Sequence, residues 1–248
     1  MIIASSKTQK KLYDMETLKD KLEEFANLDL QAFKNNSEEF ELELRNKFNE
    51  LAEYFLYGGY IKVRDDYRIY AKTIEFYFHS EENGLQDEIV YHRNNNYIDG
   101  DVPYFPEITF HAHASGFDIA FENKTKKYRA SVLIRAYEIL EILDKNNMHW
   151  LHWEKRNNCS RFYKIDSEEA PFNKQSTYLY DILNGFGDVG PITWEDKKLP
   201  FFESHKDLIM DKREGVYNPD KWDPIKYEIP RNRKWKFTRP EIITKSII

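Results

Sequence analysis

Hydrophobic positions change their period near residue 58. Over residues 8–56 apolar side chains recur at spacings of three and four, first as Leu12, Met15, Leu18, Leu22 and Phe25, then as Phe40, Leu44, Phe48, Leu51 and Phe55. The spacing predicts two amphipathic helices, the second capped by Ser37. Gly58-Gly59 ends the helical pattern, and from Tyr60 the period becomes two. Strands are predicted over 60–64, 69–79, 107–113, 117–122 and 128–137. Between residues 79 and 104, Asn83-Gly84, Asn94-Asn95-Asn96 and Asp99-Gly100 carry turn chemistry. The stretch 135–143 is predicted to pass from strand into helix, 177–183 to form a short helix, and 227–238 a late strand. The pattern places an N-terminal helical appendage, residues 1–57, ahead of a domain of strands and helices, residues 58–248. No internal repeat or low-complexity segment interrupts it.

The 248 residues are enough for one large domain with a full core. Charged and turn residues break every apolar run well before the ~18 positions that a membrane span needs, and the first residues lack a signal-peptide pattern. Cys159 is the only cysteine, which excludes an internal disulfide and a Cys-x-x-Cys zinc site. A cytoplasmic protein in a reducing compartment is expected. The net charge of −6 resides entirely in residues 16–56, where eleven acids face five bases. Near the other end, Lys226, Arg231, Arg233, Lys234, Lys236 and Arg239 oppose only Glu228. Such asymmetry allows a basic face on an acidic protein.

Two charged residues stand out inside apolar strands. Glu75 lies among aromatic and β-branched residues, on the strand face that also carries Thr73, Tyr77 and His79. A carboxylate there must be hydrogen bonded, paired or chemically employed. Arg135 closes the apolar run Ser131-Val132-Leu133-Ile134, and a buried ion pair with Glu75 is the plain reading of the two together. Among seven histidines, His111 and His113 share a strand face, and His149 and His152 are three apart. Neither pair comes with a His-Glu-x-x-His pattern, a cysteine pair or a dense acidic cluster, so neither a metal nor another cofactor is expected. His92 occupies a turn-rich loop. The five tryptophans read as core.

The order Thr73-Ile74-Glu75-Phe76-Tyr77, His92-Arg93, Phe110 through Gly116, and Val132-Leu133-Ile134-Arg135-Ala136-Tyr137-Glu138 resembles the core of the alkyladenine (3-methyladenine) DNA glycosylases. In that family a Glu-Ala-Tyr strand is followed by a histidine, a Tyr-Gly-bearing strand and a Val-Leu-Leu-Arg-Ala-x-Glu strand. The likeness covers about a third of the chain, and the Val132 to Glu138 run is its specific part. It implies an α+β fold with a central, mostly antiparallel sheet and flanking helices, and a metal-independent glycosylase that flips a damaged base out of DNA and hydrolyses its N-glycosidic bond to leave an abasic site. By resemblance Glu75 activates the water, Arg135 holds Glu75 and the water, Tyr77 stacks on the flipped base, and His92 contacts the base or its 5′ phosphate.

Three positions depart from the family pattern. Ser115 stands where the family has an intercalating tyrosine, Ala112 replaces a pocket tyrosine, and Glu122 replaces a pocket asparagine. The expected substrates are alkylated purines or, given the smaller Ser115 and Ala112, a bulky modified base such as a sugar-modified pyrimidine of phage DNA. DNA is the expected partner, with Arg231, Arg233 and Lys234 on its phosphates and the acidic helices on the far side; no membrane is expected, and the oligomeric state is open. Two other classes remain: a catalytically silent nucleic-acid or protein binding module, and a metal-dependent hydrolase using His111, His113 and an acid such as Asp118.

Overall fold

The computed structural model describes residues 16–29, 37–80, 85, 87, 108–113, 116–144, 147–156, 159–163, 192–199, 207–213 and 224–240. Helix α1 spans Leu18–Ala26 and α2 spans Ser37–Tyr57. The strands are β1 (Gly59–Val63), β2 (Tyr67–His79), β3 (Thr109–His113), β4 (Gly116–Ala120), β5 (Arg129–Asp144), β6 (Asn147–Arg156), β7 (Cys159–Tyr163), β8 (Ile192–Asp196) and β9 (Ile209–Asp211). Helix α3 (Pro224–Asn232) and strand β10 (Lys236–Thr238) close the order. Among the described residues the strands form one sheet in which every pairing is antiparallel. The expected α+β class holds. No described helix is long and apolar enough to cross a membrane.

Strands β2 and β5 form the spine, paired from Tyr67↔Glu141 to His79↔Arg129. Each spine strand changes its outer partner half-way. On one side β2 pairs with β1 at Tyr67 to Ile69 and with β10 at Thr73 to Glu75. On the other side β5 pairs with β4 at Ser131 to Ile134 and with β6 from Ala136 to Asp144. Both changes fall at one irregularity, where Ala71↔Tyr137 is followed by Thr73↔Ala136 and Ile74↔Ile134, so that Lys72 and Arg135 are skipped. One skipped residue per strand, a pair of bulges, reverses which alternate side chains face the core. Ile69 and Ala71 face it before the irregularity; Ile74, Phe76 and Phe78 face it afterwards.

The core lies between the helices and that sheet face. Phe48 of α2 stacks on Phe76 with centroids 4.4 Å apart, and Phe25 of α1 packs edge-on against Phe78 and Phe121. Helix α1 starts in a capping box, with Thr17 accepting from the Asp20 amide at 3.2 Å and the Thr17 amide donating to Asp20 at 2.7 Å. Its Leu18 amide donates to Asp196 of β8 at 3.0 Å. The expected boundary at residue 57 therefore marks the change from helix to strand, while one apolar cluster runs across it.

Two predicted elements differ. Residues 135–143 remain strand throughout, because β6 supplies hydrogen-bond partners along that edge of β5 and the side chains of residues 135–140 are buried on both faces, which blurs the period-two signal. Residues 227–232 are helical rather than extended, and only Lys236–Thr238 is strand. The Ile229-Pro230 step reads as extended because proline disfavours helix in the residue before it, yet α3 runs through it and stops two residues later. The predicted helix at 177–183 and most of the loop 79–104 lie outside the described residues.

Candidate active site

On the sheet face opposite the aromatic core, Glu75 pairs in register with Leu133, Tyr77 with Ser131 and His79 with Arg129. In most half-buried sheets this would be the solvated face; here Glu75, Tyr77, His79, Ser131 and Arg135 are all buried. Buried polar groups on this scale require mutual satisfaction. Arg135 Nη2 lies 2.6 Å from Glu75 Oε2 and donates to Tyr77 Oη at 3.0 Å, and Tyr77 Oη donates to the same carboxylate oxygen at 2.7 Å. The skipped position of Arg135 matters here, since the bulge aims its guanidinium at Glu75 rather than at a directly opposite partner. Burial pushes the Tyr77 phenol well above its ordinary pKa; Arg135 and Arg213 oppose that shift and Glu75 adds to it. Tyr77 is therefore a neutral donor at physiological pH.

A second buried pair supports the first. Arg213 donates to both oxygens of Asp87, at 2.6 and 3.1 Å, to the Phe76 carbonyl at 3.0 Å, and to the Pro230 carbonyl. Its guanidinium lies over the Tyr77 ring at 4.7 Å and over the Trp235 ring at 4.9 Å. Asp87 accepts from the Phe78 amide at 3.3 Å, and its own amide donates to His79 Nδ1 at 3.1 Å. Sequence reasoning missed both residues: Asp87 sits in a turn-rich segment and Arg213 in the charged run Asp211-Lys212-Arg213, where neither looks unusual.

The other expected site residues are distributed unevenly. Glu122 is buried in an ion pair with Arg129 at 2.7 Å. Register sets position 112 in the row of Phe117, Ile134 and Ile74. Register sets His111 opposite Asp118, itself opposite Leu133 and hence in the row of Glu75. Among the described residues no three His, Cys, Asp or Glu side chains gather as metal ligands. His92 and Ser115 lie outside the described residues.

No family profile, curated protein or solved structure matches the chain.

The basic segment is used differently from expectation. Arg233 is buried against Trp235 at 4.9 Å and pairs with Glu41 of α2 at 3.2 Å. Burial lowers its pKa, which the charges of Asp87 and Glu41 counteract. A guanidinium so enclosed is not placed to meet a phosphate, which corrects its expected role. Arg231 is partly exposed and Lys234 exposed. Arg239, at the end of the same segment, is buried with Glu138 and donates to the Ala71 carbonyl at 2.8 Å.

What the cluster can do follows from its charge. A carboxylate fixed by one cation and one neutral phenol is held oriented, fit to take a proton from water or to face a developing positive centre.

Proposed function

We propose that the protein is a DNA glycosylase, acting on an alkylated purine or a bulky modified base flipped out of the helix. The hydrogen-bonded triangle of Glu75, Arg135 and Tyr77 is the observation that supports this reading. It joins three residues that the glycosylase resemblance singled out from two distant segments. In the proposed reaction Glu75 takes a proton from the water that attacks the sugar C1′, while its charge stabilises the oxocarbenium-like state. Arg135 keeps the carboxylate oriented. Tyr77 acts as a positioning donor, since one face of its ring is covered by Arg213 and its hydroxyl is engaged by Glu75. No metal is required by this chemistry.

One observation favours a second reading. Glu75 is 0% exposed, as expected of a polar knot that specifies the sheet of a catalytically silent binding module.

The deciding experiment incubates the protein with DNA carrying alkylated purines or sugar-modified pyrimidines, with and without chelator, and scores abasic sites by alkaline cleavage. Wild-type protein should release base in both conditions. Glu75→Gln, alone and combined with Arg135→Met to remove the unpaired guanidinium, should lower the rate by about two to four orders of magnitude. DNA binding without release by any form supports the silent module; loss on chelation supports the metal hydrolase of His111, His113 and Asp118.

A further inference from the structure

Strand β10 begins at Lys236, opposite Glu75, so the outer edge of β2 beyond that point has no neighbouring strand among the described residues. The edge is nevertheless hydrogen bonded. The Phe76 amide donates to the Trp235 carbonyl at 2.9 Å, the Phe76 carbonyl accepts from Arg213, and the Phe78 amide donates to Asp87. One carboxylate and one guanidinium, fully buried and doubly bonded to each other, thus take the place of the next strand. The same guanidinium is clamped between the rings of Tyr77 and Trp235.

We propose that Asp87 and Arg213 are positioning residues: a side-chain substitute for a strand that fixes β2 from Phe76 to Phe78 and so aims Tyr77, and through it Glu75. The inference rests on the glycosylase reading for its catalytic consequence, not for its structural one. Three features carry it. Arg213 touches both the backbone on one side of Tyr77 and the ring of Tyr77 itself. Asp87 binds the backbone on the other side. Tyr77 in turn donates to the oxygen of Glu75 that faces Arg135. A lysine keeps the charge at 213 but lacks the planar fork that serves two carboxylate oxygens and two carbonyls at once.

The test uses the full chain with Arg213→Lys, Asp87→Asn and Asp87→Glu. Each variant is read by backbone-amide hydrogen exchange and by steady-state base release. Exchange at Tyr77 and Phe78 should accelerate in Arg213→Lys and Asp87→Asn, while amides of β1 and β8 keep wild-type protection. Asp87→Glu, which retains the carboxylate, should restore part of that protection. Base release per folded molecule should fall roughly 100-fold in kcat with KM nearly unchanged, the size expected when a reacting group is displaced by about 1 Å. Uniform acceleration of exchange across the sheet, or unchanged exchange at Phe78, would overturn the positioning role whether or not base is released. Local acceleration with kcat within threefold of wild type would overturn the catalytic consequence. Local acceleration in the variants, with no base released even by the wild type, would uphold the strand substitute and reject the glycosylase reading alone.

Discussion

Arg135 reaches Glu75 at 2.6 Å from the one position where the register of β5 against β2 skips a residue. Both side chains are almost fully enclosed, at 3% and 0% exposure. Two charges in that setting stand or fall together, because removing one leaves the other buried and uncompensated.

Glu75→Gln and Arg135→Met should therefore each destabilise the protein by about 3–5 kcal/mol. The double variant should recover most of that loss and remain inactive. Urea unfolding of the four proteins gives the cycle. Additive single-site losses would show that the two groups are not coupled.

Stability should decline at alkaline pH earlier than carboxylates or lysines alone require. Burial pushes Tyr70 up to about 12, and Tyr77 and Tyr137 well above their ordinary value. A raised folded pKa means a contribution that is complete below the unfolded value of about 10 and is lost as pH rises through the folded one. Tyr77→Phe should lessen the fall in stability above pH 10, measured by thermal melts at pH 8, 10 and 11. A slope equal to that of wild type would mean that Tyr77 is ionised as easily folded as unfolded.

DNA affinity should separate neighbours in the basic segment. Lys234 is exposed, whereas Arg233 is enclosed by Trp235 and Glu41. Lys234→Ala should reduce the magnitude of the log-affinity against log-salt slope by about 0.9 on duplex DNA. Arg233→Ala should leave the slope unchanged and lower the melting temperature instead. The opposite assignment would require Arg233 to leave its pocket on binding.

Gly59 should tolerate no side chain. A Cβ there would stand 2.3 Å from the Glu195 carbonyl and 2.8 Å from the Trp194 ring, and a paired β8 backbone cannot recede without losing its hydrogen bonds to β1. Gly59→Ala should cost about 1–3 kcal/mol or more, seen as a shift in the urea midpoint with little change in slope.

The legible parts of this structure are those in which local pattern and tertiary position agree. Phe40, Leu44, Phe48 and Phe55 announce α2 because one helix face meets one sheet face. Glu75 and Arg135 announce themselves as charges within apolar strands. Their contact was legible as a plain ion pair, but the bulge that permits it leaves no local signature. Asp87 and Arg213 are illegible for another reason: each looks like an ordinary solvated charge until β10 stops short and leaves an edge to satisfy. Residues 135–143 mislead because burial of residues 135–140 on both faces removes the alternation that distinguishes a strand. Arg233 misleads because counting bases along a chain does not reveal which of them an acid from a distant helix has engaged.

The skipped residues Lys72 and Arg135 tie together the lengths of two segments far apart in the chain. Ile69 and Phe76 are seven positions apart and share the core face only because Lys72 is an extra residue between them; deleting Lys72 alone would keep both on that face and leave Arg135 as a lone bulge. Deleting both would make the ladder regular with the core residues still on one face, but would remove the guanidinium that pairs with Glu75. Joint loss is thus silent for the core face but not for the buried charge of Glu75, and a related sequence that loses both extra residues should also lose that carboxylate or bring it another cation. A chain that kept both extra residues but was redesigned with strict hydrophobic alternation through β2 and β5 would send one end of its sheet inside out.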